Sequence, residues 1–186
     1  LLKKGMSFND VVNLFRSGNQ TPLKVSFNNQ ETIHKFVGRV ASQIETDSIS
    51  LLNAFINPIF LNQNNLTTTS VLGICIPNSY ELYWTISPKE FRNRMLIEYN
   101  RFWSENRILK AKNQQLTPQE VMILASIVQK ETAKISERPI VAGLYLNRLK
   151  NGWPLQSDPT VIYAVKAKKG QNFEIKRVLN KDLKID

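Results

Sequence analysis

Apolar residues recur at helical spacing along most of the chain, and three segments also carry clear signals for a helix start. Ser7 followed by Asp10 has the spacing of a capping box, and Ser87 and Thr117 each precede a proline and an acidic residue. Apolar positions three and four residues apart extend each of these starts into an amphipathic stripe. The predicted helices are, in chain order, one between Ser7 and Gly18, then 28–45, 49–56, 88–112, a helix from 118, 137–150 and 160–167.

Strand patterns are fewer and shorter. "PLKVSF" alternates apolar and polar residues and predicts a strand at 23–27. The apolar run "VLGICIP" predicts a buried strand that ends in a turn at 77–79. The polar stretch from 57 to 70 predicts a loop. We therefore predict an α+β fold, mostly helical and with few short strands.

Composition and charge narrow the function classes. With 186 residues, 42% hydrophobic and 22% charged, the chain is typical of a globular protein with one good-sized domain or two small ones. Its net charge of +10 favours a polyanionic partner, or describes a generally basic protein. No helix concentrates lysine and arginine on one face, which argues against nucleic acid. The single cysteine, Cys75, and single histidine, His34, exclude an internal disulfide and a Cys/His zinc cluster.

Targeting signals give little information about location. No apolar stretch approaches the roughly 18 residues that a membrane span needs, and no signal peptide is recognisable. The chain begins "LLKKG" without an initiator methionine, so we expect it to be a piece of a longer protein.

Glu131, in the segment "ASIVQKET", is the first candidate for chemistry. Leu124, Ile127 and Val128 precede it by seven, four and three residues and share its helix face. A carboxylate on such an apolar stripe is desolvated, which favours its protonated form. Cleavage of a glycosidic bond needs a carboxylic acid of this kind. The alternative, which the pattern alone favours, is a carboxylate paired with a nearby lysine or arginine, or solvated at the helix end.

A second candidate is the loop "LQSDPT". Asp158 before Pro159 predicts an N-cap and a first helical residue, and Gln156 and Ser157 precede them. These polar groups could bind a substrate or merely close the turn. Aromatic and amide side chains that suit sugar rings and hydroxyls are Tyr80, Tyr83, Trp84, Asn147, Trp153 and Tyr163. Trp84 and Trp153 are at least as well explained as core residues.

Three long stretches resemble the endolytic murein transglycosylases of the MltG/YceG family. They are "LTPQEVMILASIVQKET", "ERPIVAGLYLNRLKNG" and "LQSDPTVIYA", in that order. Upstream, "IPNSYELYW" is similar to a further family region, and the first residues through "PLKVSF" look like the end of a LysM-like module.

The resemblance implies an enzyme that cuts peptidoglycan glycan strands internally at the MurNAc–GlcNAc bond and leaves a 1,6-anhydro-MurNAc end. It assigns Glu131 as general acid and base, and many relatives have glutamate where this chain has Gln129. One carboxylate is enough because the sugar's own C6 hydroxyl is the nucleophile, and neither a metal nor a cofactor is implied. The substrate-binding residues that we carry over or infer nearby are Gln156, Ser157, Asp158, Thr160, Asn147 and Tyr163.

The resemblance also implies an organisation and a location. We expect residues 1–46 to be a partial LysM-like subdomain and 47–186 a catalytic domain whose C-terminal motif region lies outside this chain. The family is held on the outer face of the bacterial cytoplasmic membrane by an N-terminal helix, also outside this chain. Peptidoglycan strands are the expected partner and cell-wall synthases are candidates. The alternative function is a non-catalytic peptidoglycan-binding or scaffold module.

Overall fold

The computed structural model describes residues 2–18, 20–170, 173–175, 178 and 182, and it divides the chain into two compact units. The first unit is Leu1–Ser104 and the second is Glu105–Asp186. The described residues are mostly helical, with one two-stranded antiparallel sheet in the first unit. The predicted α+β class is confirmed. None of the described helices has both the length and the apolar character needed to cross a bilayer.

The first unit begins with a helix whose predicted cap is present. Its elements are α1 (Phe8–Arg16), β1 (Leu23–Phe27), α2 (Ile33–Ala41), α3 (Ser48–Phe55), α4 (Pro58–Gln63), a 3₁₀ turn (Val71–Ile74), β2 (Asn78–Leu82) and α5 (Pro88–Phe102). The Ser7 hydroxyl accepts from the Asp10 amide, and the Asp10 carboxylate accepts from the Ser7 amide. Ser87 and Glu90 repeat this arrangement at the start of α5. The two capping boxes predicted in this unit are therefore confirmed.

The core of the first unit lies between its sheet and helices α2, α3 and α5. β1 and β2 pair so that Leu23 lies opposite Leu82. The Phe36 ring on α2 meets Phe27 and Phe55 edge-on, at centroid distances of 4.8 and 5.6 Å. Such edge-to-face pairs add to the stability gained from burying the rings.

The expected boundary at residue 46 lies inside this unit. Val25 and Val40 before it and Leu51 and Phe55 after it belong to one hydrophobic cluster. The LysM-like character of residues 1–46 stays a prediction.

Two predictions between residues 57 and 82 are wrong. The apolar run predicted as a strand forms the 3₁₀ turn at Val71–Ile74, and β2 occupies the place of the predicted turn. An uninterrupted apolar run has no period that separates a buried turn from a buried strand. The predicted loop contains α4, which Asn57 caps through its side chain and Pro58 begins.

The predicted helix from 88 to about 112 is two helices. α5 ends at Phe102, and the backbone of Trp103 leaves the helical conformation, with φ −82° and ψ 64°. Trp103 is buried, and its ring packs edge-on against Phe102. Helical periodicity continues across this break, so the apolar pattern alone did not reveal it.

The described residues of the second unit form four α-helices. The unit contains α6 (Glu105–Asn113), α7 (Pro118–Glu131), a 3₁₀ turn (Ile135–Glu137), α8 (Arg138–Lys150) and α9 (Asp158–Lys169). The capping box of Thr117 and Glu120 starts α7 as predicted. Leu124, Val128 and Tyr145 form the buried centre where α7 packs on α8, and α7 also contacts α9. All the candidate residues at the end of α7 and after α8 belong to this unit.

Candidate active site

Glu131 is the last residue of α7, and its exposure decides between the two alternatives that the sequence left open. Leu124 and Val128 are buried and Ile127 is half-buried, so the apolar stripe faces the core as its phase predicted. Glu131 itself is exposed at the helix end, so the desolvated carboxylate is not found, and the solvated one, which belongs to the alternative that the pattern alone favoured, is. It lies one turn beyond Val128, where the stripe ends and the chain turns away. The carboxylate is therefore open to solvent on one side.

The turn after α7 is tied by polar contacts that do not use Glu131. The Thr132 hydroxyl donates to the Glu137 carboxylate at 2.7 Å, and Lys134 forms an ion pair with Glu137 at 3.1 Å. The hydrogen bond from Thr132, and then that from Lys134, lower the pKa of Glu137. Glu137 thus binds Lys134, one of the nearby basic residues considered as partners of Glu131.

Ser157 brings the loop before α9 to Glu131. Its hydroxyl donates to Oε2 of Glu131 at 3.2 Å, across 26 positions of sequence. Ser157 is only 1% exposed, which leaves almost none of its surface for direct contact with a ligand. It occupies the N-cap position of α9 but makes no side-chain cap.

The start of α9 therefore differs from the prediction by one residue. Asp158 was predicted as the N-cap, whereas it is the first helical residue and Ser157 is the N-cap. A carboxylate in the first turn is favourable there because it faces the positive end of the helix dipole. The hydroxyl at the cap position is then available to Glu131.

Tyr145 joins this cluster from α8, and sequence reasoning missed it. The residue is 3% exposed, and its phenol interacts with Ser157 and Glu131. Burial raises the pKa of Tyr145; the hydrogen bond with Ser157 lowers it, and the charge of Glu131 raises it further. The signal that could have found Tyr145 is a phenol on the apolar face of a helix, because a buried hydroxyl requires a partner.

Arg148 is the second residue that sequence reasoning missed. Its Nη1 atom donates to the Leu155 carbonyl at 2.8 Å, to Oε1 of Gln156 at 2.9 Å and to the Pro154 carbonyl at 3.2 Å. Arg148 lies three positions after Tyr145, so both project from similar sides of α8. No sequence signal distinguishes Arg148 from the other basic residues at this end of α8.

The remaining predicted site residues lie around the loop and on the two helices. Gln156 is exposed and has a left-handed backbone, with φ 53°. The half-buried Thr160 donates its hydroxyl to the Ser157 carbonyl at 2.7 Å. Asp158 and Asn147 are exposed, and Tyr163 is 53% exposed. The structure thus brings Ser157 to Glu131 directly, whereas Asn147, Asp158 and Tyr163 remain surface positions.

The two tryptophans suggested as core residues are both on the surface. Trp153 is 64% exposed on the loop before α9, and Trp84 is 49% exposed in the first unit. The core interpretation is therefore wrong for both. The buried tryptophan among the described residues is Trp103.

Comparisons with known proteins agree with the resemblance seen in the motifs. The model of the YceG-like family matches residues 1–186. An endolytic murein transglycosylase of Streptococcus pneumoniae is 33% identical over 115 residues, which cover 61% of this chain and 20% of that protein. One of Bacillus subtilis is 23% identical over 200 aligned positions, which cover 100% of this chain and 54% of the relative. The chain thus corresponds to only part of each relative's length.

A solved structure shares the fold. The crystal structure of a YceG-like protein from Listeria monocytogenes superposes with a TM-score of 0.68 at 23% identity, covering 100% of this chain and 64% of that one. The match of the family over every residue confirms the relationship that the motifs indicated. This chain belongs to the YceG-like family.

Proposed function

We propose that this chain carries the catalytic glutamate of an endolytic murein transglycosylase. The proposed reaction cleaves the MurNAc–GlcNAc bond within a glycan strand and leaves a 1,6-anhydro-MurNAc end. One observation carries the proposal: Glu131 is exposed to solvent, yet its Oε2 atom is held at 3.2 Å by the buried Ser157 hydroxyl. The relatives from Streptococcus pneumoniae and Bacillus subtilis are named endolytic murein transglycosylases, which supports a transglycosylase reaction on murein.

Glu131 acts first as an acid and then as a base. As the bond between C1 of MurNAc and the glycosidic oxygen breaks, the Glu131 carboxylic acid gives its proton to that oxygen. The C6 hydroxyl of the same MurNAc then bonds to C1 and returns a proton to Glu131. No water is consumed, so no second carboxylate is needed, in contrast to ordinary glycoside hydrolysis.

The partners of Glu131 suit both steps. Ser157 and Tyr145 are neutral hydroxyl groups that can orient the carboxyl without pairing it with a fixed positive charge. Ser157 takes one oxygen, which leaves the other free to face the strand. Because the resting fold leaves Glu131 in solvent, a bound strand has to exclude water from it.

The exposed residues around the loop are the proposed contacts with the strand. Asn147 and Gln156 offer amides, Asp158 offers a carboxylate and Tyr163 an aromatic face. Thr160 is half-buried and supports the start of α9 through its bond to the Ser157 carbonyl. These groups suit the hydroxyl and acetamido substituents of a glycan strand.

The proposed location follows from the substrate. Peptidoglycan lies outside the cytoplasmic membrane, so we place the site on the outer, periplasmic face of that membrane. The net charge of +10 suits a wall rich in anionic polymers. Cell-wall synthases are proposed partners on the same basis.

The test compares wild type, Glu131→Gln and Glu105→Gln in the full-length protein on purified glycan strands. Glu105 is a matched control because it is an exposed glutamate of the same unit. The measurements are 1,6-anhydro ends by mass spectrometry and strand length over time. We expect wild type and Glu105→Gln to shorten strands internally, and Glu131→Gln to lose about 10²–10⁴-fold in kcat.

Two results contradict the proposal. Undiminished anhydro product from Glu131→Gln would remove this residue from the chemistry. Strand binding by all three proteins with no product from wild type would favour a non-catalytic binding module.

A further inference from the structure

We propose that Arg148 is a positioning residue that holds the loop before α9 so that the Ser157 hydroxyl reaches Glu131. The effect of Arg148 on kcat rests on the proposed function, because it requires Glu131 to be the catalytic acid. Its structural part, the link from Arg148 through the loop to Ser157, stands on the contacts of the second unit alone.

Arg148 binds the loop through both its side chain and its backbone. Nη1 carries two hydrogens and faces three acceptors, of which the Leu155 carbonyl at 2.8 Å and Oε1 of Gln156 at 2.9 Å are the nearest. The Arg148 carbonyl in turn accepts from the Trp153 amide at 2.8 Å. A single residue of α8 therefore secures the loop at both ends.

Gln156 shows why the loop needs such a restraint. Its left-handed backbone, with φ 53°, is unfavourable for a residue with a side chain. The bond from Arg148 to its side chain supports this conformation. The strained residue directly precedes Ser157, so its conformation sets where the Ser157 hydroxyl points.

Ser157 has a competing position available. A serine at an N-cap ordinarily accepts a hydrogen bond from the second or third amide of its helix. Here that bond is absent and the hydroxyl donates to Glu131 instead. Once Arg148 no longer holds the loop, we expect Ser157 to turn to the ordinary cap and leave Glu131.

Three variants separate geometry from charge. Arg148→Gln loses both. Arg148→Lys keeps the charge, but its nitrogen lies one bond nearer the backbone than Nη1, the atom that donates to both of the nearest acceptors, so we expect these two contacts to be lost. We expect kcat to fall about 10- to 100-fold in both, because Glu131 loses the hydrogen bond from Ser157 that orients it. KM should change less than about threefold, because, of the proposed strand contacts, Arg148 binds Gln156 and not Asn147, Asp158 or Tyr163. Lys150→Gln, at an exposed position of the same helix, is the control and should keep wild-type kcat. Recovery of wild-type kcat by Arg148→Lys would show that charge alone matters and overturn the proposal.

A double-mutant cycle tests whether Arg148 acts through Ser157. With Ser157→Ala already present, Arg148→Gln should lower kcat by less than about threefold more, because the hydroxyl that it positions is gone. Multiplicative losses would mean that the two residues act independently, which contradicts the mechanism.

Hydrogen exchange separates this proposal from the proposed function. We expect backbone amides in 153–161 to exchange about tenfold faster or more in both Arg148 variants than in wild type, Lys150→Gln or Glu131→Gln. If wild type makes no anhydro product, the proposed function fails and exchange alone decides: unchanged exchange overturns the Arg148 link. If the Arg148 variants of an active enzyme exchange faster but keep wild-type kcat, Arg148 only stabilises the loop, and the proposed positioning role is overturned.

Discussion

Replacing Tyr145 by phenylalanine removes one hydroxyl from the Glu131 cluster and leaves the aromatic ring in place. The ring packs with Leu124 and Val128 at the buried centre of the second unit. The substitution therefore creates no cavity larger than one oxygen atom. What is lost is the polar contact of the hydroxyl with Ser157 and Glu131.

The expected size of the loss follows from the surroundings of each partner. A hydrogen bond between neutral groups contributes about 0.5–1.5 kcal/mol and one to a charged group about 1.5–3 kcal/mol. Because Glu131 is exposed and water can replace the lost donor, we expect the lower range, about 1 kcal/mol of unfolding free energy. If the same contact orients the carboxyl in the transition state, kcat falls about fivefold, since about 1 kcal/mol corresponds to a factor of about five.

The assay measures urea unfolding and anhydro-product formation on the same preparations. Tyr163→Phe is the matched control for stability, because it removes a hydroxyl from a tyrosine that is 53% exposed in the same unit. We expect a lower urea midpoint with an unchanged m-value for Tyr145→Phe and no shift for Tyr163→Phe. Wild-type stability and kcat in Tyr145→Phe would refute the reasoning, because the hydroxyl would then make no net contact with Glu131.

Three further changes test other parts of the molecule. Tyr163→Ala should raise KM for glycan strands with little change in unfolding midpoint, if its exposed ring stacks on a sugar; an unchanged KM would exclude that contact. Burial, and then the charge of Glu98, raise the pKa of Tyr80 from 10.0 to about 12. The folded state therefore favours the protonated phenol, and the stability gained in this way is present below pH 10 and is lost as pH rises towards 12. Unfolding measured from pH 8 to 11.5 should therefore show wild type losing stability that Tyr80→Phe does not lose; parallel curves would contradict this. Thr117→Ala removes the side-chain cap of α7 and should lower the unfolding free energy by about 1 kcal/mol at neutral pH. Hydrogen bonds from Thr117 lower the pKa of Glu120 below 4.5. The difference in unfolding free energy between wild type and Thr117→Ala should therefore become smaller as pH falls and Glu120 is protonated. A difference that does not change with pH would contradict this.

The parts of the fold that sequence predicted well depend on contacts between near neighbours. The capping boxes at Ser7, Ser87 and Thr117 join residues three positions apart, so sequence spacing alone specifies them. The inward phase of Leu124 and Val128 on α7 follows from the helical period in the same way. Predictions failed where a local pattern permits two outcomes, as in the apolar run that became a 3₁₀ turn.

The candidate site shows the same division more sharply. The motif around Glu131 identified the residue, but its exposure depends on where α7 ends and how the chain turns away. Residues three, four and seven positions apart share one face of a helix, and this rule suggested that Glu131 is buried with Leu124 and Val128. The rule does not fix the burial of Glu131 because α7 ends at that residue.

The sequence by itself determined the helix starts, the apolar stripe of α7, the absence of a zinc cluster of cysteine and histidine, and the family motifs that include Glu131. Only the tertiary structure decided that the Ser157 hydroxyl donates to Glu131 instead of capping α9, that Tyr145 joins them, and that Arg148 holds the loop between α8 and α9. The physical reason is distance along the chain. Ser157 and Glu131 are 26 positions apart, and their contact exists only because α7, α8 and α9 pack together. No spacing rule within a single helix could predict it.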